Sequence, residues 1–409
     1  MSATPVHVSR DNRRRRAGVP PLVDTASAVA VADRVANSLR GTAAIRDQTR
    51  LLPTDEIKVV TDAGLFAVSV PQTFGGPGLP SSTVIEVCRA LASADPSVAQ
   101  IGQNHFAALH AMPTFGFTTA TIARVCADVR DGAHLSTATA EQRGRDALAN
   151  TSTLELQSDG SYVFNGLKFY STGVFSSTWI LATGRNGDDA QLVALVRRDA
   201  PGVEVLDDWT GMGQRGTGSG TTRFTDVVVA ADHVAALTLS ADQPLPLLGQ
   251  AIHAAIEVGI ARGAFEDAVD FARTKARPWI DADVASASQD PYVTARIGEL
   301  ASHLHAAEAL LREAAAQVDQ ADAGQSHDGF TSARVAVAEA KAFGGAVALE
   351  IGSALFDVTG SRGVLDEHDL DRHWRNTRTH TLHAPSKWTH HHIGNWILNG
   401  TPPPQNGHI

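Results

Sequence analysis

The sequence predicts an α+β fold: an N-terminal helical domain, a central antiparallel β-barrel or sandwich domain, and a C-terminal four-helix bundle. Three observations predict it. Apolar residues recur at helical spacing through residues 22–132. Short alternating runs with no helix between them fill 133–236. Long helical periods return in 237–409 and stay.

Residues 1–21 precede the first periodic segment and read as a mobile polar tail. Its basic cluster, Arg13 to Arg16, has the look of a nucleic-acid arm or a twin-arginine signal. Pro20 and Pro21 follow it instead of an apolar signal core, so a solvated tail is the expectation. In the first domain Val31, Val35 and Leu39 share a helix face, as do Ile85, Cys88 and Leu91 behind a Ser81–Ser82 cap. Residues 71–80, rich in Pro and Gly, form a loop between them.

The β region opens on Thr153–Gln157, a turn at Asp159–Gly160, and Tyr162–Tyr170, which together read as a hairpin. Runs at 179–183, 191–196 and 223–229 supply further strands. With no crossover helices, the sheet is expected to be antiparallel. Helices are expected over 247–277, 292–322 and 331–358, broken near Pro278, Pro291 and Gly324.

Charge and cysteine content narrow the function. The chain has 34 Lys+Arg and 44 Asp+Glu, a net charge of −10, which argues against a nucleic-acid partner. Two cysteines, Cys88 and Cys126, make no disulfide framework and fit two free thiols in a cytoplasmic protein. No run of 18 apolar residues is present, so no membrane span is expected.

Several segments, in order and spacing, resemble the acyl-CoA dehydrogenase superfamily. They are Gly64-Leu-Phe-Ala-Val-Ser-Val-Pro-Gln-Thr-Phe-Gly-Gly76, Asn165-Gly-Leu-Lys168 with Ser171-Thr-Gly173, and Trp209-Thr-Gly-Met-Gly-Gln-Arg-Gly-Thr-Gly-Ser219. Two longer segments, 272–279 and His373-Trp-Arg-Asn-Thr-Arg-Thr-His-Thr-Leu-His-Ala-Pro385, narrow the resemblance to its flavin-dependent monooxygenase branch, the dibenzothiophene monooxygenases and related sulfur-acquisition oxidoreductases.

What the resemblance implies follows from chemistry. A dehydrogenase needs a carboxylate to take the α-proton. The two positions where the family carries it fall at Ala384 and near Leu248 here, and neither is acidic. The monooxygenase branch instead forms a C4a-hydroperoxyflavin, which survives only in a dry site that offers hydrogen bonds. The resemblance puts His383, His380, His105 and Thr172 at that chemistry, with Thr172 where relatives carry serine. It assigns flavin contacts to Thr137, Thr139, Thr172, Trp209 and Ser219, and phosphate contacts to Arg273 and Arg362.

It further implies FMN over FAD, delivered reduced by a separate NAD(P)H-dependent flavin reductase. In keeping with that, no Gly-x-Gly-x-x-Gly follows a strand. The implied substrate is a small organosulfur compound, and the assembly a homotetramer. An amine N-hydroxylase, an acyl-CoA dehydrogenase and a flavin-binding relic are the competing readings. A metal site is not expected, because the His380–His383 pair has no evident acidic or thiol partner; the run His390–His392 reads as surface.

Overall fold

The computed structural model describes residues 22–404 except 143–149, 188–189, 238–244 and 325–326. The Arg13–Arg16 cluster therefore lies outside the described residues, as does His408.

Five helices come first: α1 (Thr25–Thr49), α2 (Thr54–Asp62), α3 (Ser81–Ala94), α4 (Pro96–Ala111) and α5 (Thr119–Arg130). Asp24 starts α1 with a reciprocal capping box to Ser27. Asp95 starts α4 by accepting from the Ser97 and Val98 amides, with Pro96 at the first helical position, where its missing N–H costs nothing. The start of α3 departs from expectation. Ser81 and Ser82 lie inside the helix and cap nothing. The Ser82 amide donates instead to Asp319 and the Ser81 hydroxyl to Asp322, both on a later helix.

The sheet has eight strands: β1 (Leu135–Ala138), β2 (Thr153–Leu156), β3 (Tyr162–Lys168), β4 (Trp179–Asn186), β5 (Ala190–Arg197), β6 (Val203–Val205), β7 (Thr222–Val229) and β8 (Val234–Ala236). Their order is β6-β7-β3-β2-β4-β5-β8, with β1 on β4. The predicted hairpin is β2–β3, paired from Thr153↔Asn165 to Leu156↔Tyr162. The sheet is not wholly antiparallel. β1 runs parallel to β4, from Leu135↔Trp179 to Ala138↔Ala182, and β2 meets β4 parallel at Thr153↔Arg185. Direction reverses between β2 and β3 and again between β3 and β4, so β4, lying beside β2, runs the same way, as does β1.

The chain then returns to helix: α6 (Leu245–Thr274), α7 (Pro291–Gly324), α8 (His327–Thr359), α9 (Asp371–His380) and α10 (Ser386–Asn399). α8 is apolar enough to cross a bilayer by length and composition, yet it is a core helix packed on α6 and α7. One apolar core joins the two helical regions, running from Val31, Leu39, Ile85 and Leu91 to Ile252, Ile256, Leu304 and Val347. Glycine makes that union possible. A Cβ at Gly259 would lie 2.5 Å from the Arg89 carbonyl, and one at Gly263 2.3 Å from that of Ser93, so α6 rests backbone to backbone on α3.

Candidate active site

Three stretches of backbone bring the predicted polar groups together. The first is the turn after β3. Gly173 has a φ of +74°, open to glycine at little cost, and a Cβ there would lie 2.9 Å from Ile101 on α4. The turn is thereby pressed against α4, and Asn104 of that helix donates to the Thr172 carbonyl at 3.4 Å. The hydroxyl of Thr137, on β1, donates to the same Asn104 at 3.1 Å.

The second stretch is the loop from Trp209 to Ser219. Trp209 and Thr217 both donate to the Gln214 carbonyl, at 2.9 and 2.8 Å. With the Thr217 proton committed, Ser219 must donate to Thr217 and Thr172 to Ser219, each at 2.7 Å. This hydroxyl chain has one direction, and it leaves Thr172 with lone pairs and no free proton. Thr172, Ser219 and Trp209 are thus assembled by one network.

The third stretch is the end of α9. The ring of Pro385 would clash with the carbonyl four residues back, at Thr381, so the helix closes at His380. His383 therefore lies in the turn beyond the helix and not on its face. The two rings still meet, with centroids 4.8 Å apart. The His383 Nδ1 lies 2.7 Å from the His380 carbonyl, which can only accept, so Nδ1 carries the proton. The His383 Nε2 lies 3.5 Å from the Gln100 amide nitrogen.

His380 is fully buried, and burial, with help from His383 and Lys341, holds it well below the usual histidine range. It is neutral. The Gln214 amide nitrogen lies 3.5 Å from its Nδ1, and its Nε2 is 3.1 Å from Nδ1 of His253.

His253 on α6 went unread in the sequence, as did Gln100, Asn104 and Gln214. One turn beyond His253 is Glu257, 2% exposed, with Oε2 bonded to nothing. Burial pushes its carboxyl up to about 8, against the pull of Lys341. Lys341, itself lowered to about 8 by burial, donates to Gln250 at 2.5 Å. A signal for these residues exists: Gln100 and Asn104, and His253 and Glu257, are polar pairs four apart on helices α4 and α6, among mostly apolar neighbours.

The remaining expected site residues lie elsewhere. His105 is 0% exposed, its Nε2 donating to the Phe66 carbonyl at 2.7 Å and its Nδ1 accepting from the Leu135 amide at 3.1 Å. Burial lowers it to about 4. Both nitrogens are consumed by backbone, so His105 fastens β1 to α4 and has none left for a ligand. The Thr139 side chain is exposed just past β1. Arg273 ends α6, twenty residues beyond His253, a span of about 30 Å along a helix. Arg362 lies at the same end, donating to the Lys275 carbonyl at 2.7 Å. Within one chain these two arginines do not join the hydroxyl network.

Comparisons with known proteins identify the family. Family models for the acyl-CoA dehydrogenase N-terminal, middle and C-terminal domains match residues 25–125, 136–227 and 251–388. A dibenzothiophene monooxygenase of Mycolicibacterium goodii is 32% identical over 390 residues, covering 91% of this chain and 93% of that protein. The chain is a flavin-dependent monooxygenase of the acyl-CoA dehydrogenase family. A probable FMNH2-dependent monooxygenase, SfnC, of Pseudomonas putida is 31% identical, over 92% of this chain and 96% of its own. The dibenzothiophene monooxygenase TdsC of Paenibacillus sp. A11-2, solved with FMN and indole, superposes with a TM-score of 0.88 at 30% identity, covering 93% of this chain and 99% of that one. At the two positions that the resemblance assigns to the dehydrogenase base, near 248 and at 384, this chain carries Leu248 and Ala384, neither acidic.

Proposed function

We propose that this monooxygenase uses reduced FMN and O2 to oxygenate a small organosulfur compound. The observation that carries the reading is the directional hydroxyl chain. It ends at Thr172 in an acceptor, the complement of a flavin that carries N–H groups, as the reduced form does. Two buried amide oxygens, on Gln100 and Gln214, have no partner among the described residues and suit a polar ring system beside them.

Thr137, Thr139, Thr172, Trp209 and Ser219 are the residues proposed to hold the flavin. Reduced flavin, when bound, supplies the electrons that activate O2 for transfer of one oxygen atom to sulfur. The chain does the rest. His383 takes or returns a proton at Nε2. His380, neutral and buried, holds His383 by its carbonyl. The close packing of α4, α6 and α9 keeps water away.

Arg273 and Arg362 are proposed to act on the phosphate of a neighbouring subunit's cofactor in a homotetramer. α10 supports an assembly: Thr389 is its one buried residue, while Trp388, Ile397 and Leu398 are 54%, 69% and 82% exposed. A diffusing NAD(P)H-dependent reductase is the proposed source of FMNH2, and the cytoplasm, which keeps the free Cys88 and Cys126 reduced, the proposed compartment.

The test is turnover with FMNH2, O2 and a panel of sulfides, sulfones, sulfinates and amines. An oxygenated sulfur product supports the reading. Oxygenation of amines alone, or flavin reduction by an acyl-CoA, overturns it.

A further inference from the structure

His253, His380 and His383 come from three different stretches of chain and meet in one place. Ring centroids are 4.5 Å apart for His253 and His383, 4.8 Å for His380 and His383, and 5.0 Å for His253 and His380. One nitrogen from each lies within 4.8 Å of the other two. Two of the rings are buried and His383 is exposed, so the cluster has rigid ligands at its base and an entry at its mouth.

We propose that these three histidines form a binding site for a borderline divalent transition metal ion, of the Zn2+, Cu2+ or Ni2+ class.

The geometry asks little movement. A tetrahedral ion with bonds of about 2.0–2.1 Å holds its nitrogens roughly 3.3 Å apart. The buried pair is already at 3.1 Å. Only His383, the exposed member, has to close in. The ion takes the place of the proton bridging His253 and His380; that proton moves to the other nitrogen of the same ring, so both imidazoles bind as neutral ligands. Imidazole nitrogen suits Zn2+, Cu2+ and Ni2+ and disfavours Mg2+ and Ca2+, which take oxygen. Three protein ligands leave at least one position open for water. Glu257 stands one turn from His253 on the same helix.

Binding itself does not depend on the proposed reaction. Its consequence does: an ion on His383 occupies the nitrogen assigned to proton transfer, so the site is an off-switch set by metal supply.

The experiment uses the full chain, flavin-free and stripped with chelator. Zn2+ is titrated by calorimetry, and Cu2+ is followed by electron paramagnetic resonance, which registers directly coordinated imidazole nitrogen. The expected result is one ion per chain. His253→Gln should weaken binding by more than about tenfold. Replacing His390, His391 and His392 together by Gln should leave it unchanged. If His253→Gln does not fold, His383→Gln, at an exposed position, serves in its place. Absence of stoichiometric binding by the parent chain overturns the proposal, as does binding that survives loss of the core histidines and disappears with the 390–392 change.

Discussion

Two histidine centres in this protein invite comparison. His105 and His134 flank Phe66, at centroid distances of 4.8 and 5.4 Å, beneath β1. His380 and His383 lie with His253 at the end of α9. Both centres contain buried rings, and burial keeps His105, His134 and His380 uncharged at neutral pH. They differ in their partners. His105 spends both nitrogens on backbone, while His380 turns both toward side chains and His383 turns one, Nε2, toward Gln100. A ring bonded to backbone is scaffold. A ring whose nitrogens face movable side chains can exchange a proton or a ligand.

Replacing His383 by Ala tests the reactive centre and carries the largest expected effect. A hydrogen bond to a charged or strongly polarised group contributes roughly 1.5–3 kcal/mol. Oxygenation should therefore fall about ten- to a hundredfold. Hydrogen peroxide released per product should rise, and flavin affinity should hold. Equal loss of flavin oxidation and product, without extra peroxide, would place His383 with the scaffold.

His105→Ala probes the other centre. It strands the Phe66 carbonyl and the Leu135 amide, at about 1–3 kcal/mol each. Thermal unfolding should come several degrees earlier, while turnover per folded molecule and the peroxide ratio stay near the parent's. A selective loss of oxygenation with no change in melting would erase the contrast.

Thr172→Val removes the head of the hydroxyl chain and keeps its shape. A severalfold drop in oxygenation is expected, since one neutral hydrogen bond is worth about 0.5–1.5 kcal/mol. Affinity for reduced flavin should fall more than affinity for oxidised flavin; an equal fall would remove the directional argument.

The smallest effect concerns pH. Burial pushes Glu141 up, but bonds from Lys168, at 2.6 Å, Thr151 and Ser152 outweigh it and bring the carboxyl down to about 2 from an ordinary 4.5. A depressed acid stabilises the fold above its unfolded value and loses that contribution as pH falls through the folded one. The stability gap between the parent and Glu141→Gln should thus be full above pH 4.5 and shrink as pH falls toward about 2. A gap that widens on acidification would contradict the sign.

Much of the fold was legible because periodicity reports burial. The β2–β3 hairpin and the three long helices lie within a few residues of their expected positions. Strand direction was not legible, since alternation shows which face is buried and not which neighbour pairs; hence the parallel β1–β4 ladder. Of the residues the resemblance named, Thr172, Trp209 and Ser219 share one hydrogen-bond network, and the rings of His380 and His383 meet. The site was illegible at His253, hidden in an apolar stretch of α6 and 127 positions from its partner. It was misread at His105, where a histidine of the right kind faces backbone. Arg273 and Arg362 lie at the far end of α6, away from the hydroxyl network.

The contact of α6 with α3 at Gly259 and Gly263 bears on how such enzymes can be recombined. The three family segments look like exchangeable cassettes along the chain, yet the first and last share one interior. A chimera that takes its N-terminal third from a relative imports a foreign α3 against a resident α6. Any side chain larger than hydrogen at either glycine would then pry the helices apart, and His253, carried on the same α6, would shift with them. Productive crossovers should therefore move α3 and α6 as a pair, leaving the sheet as the part that can be traded.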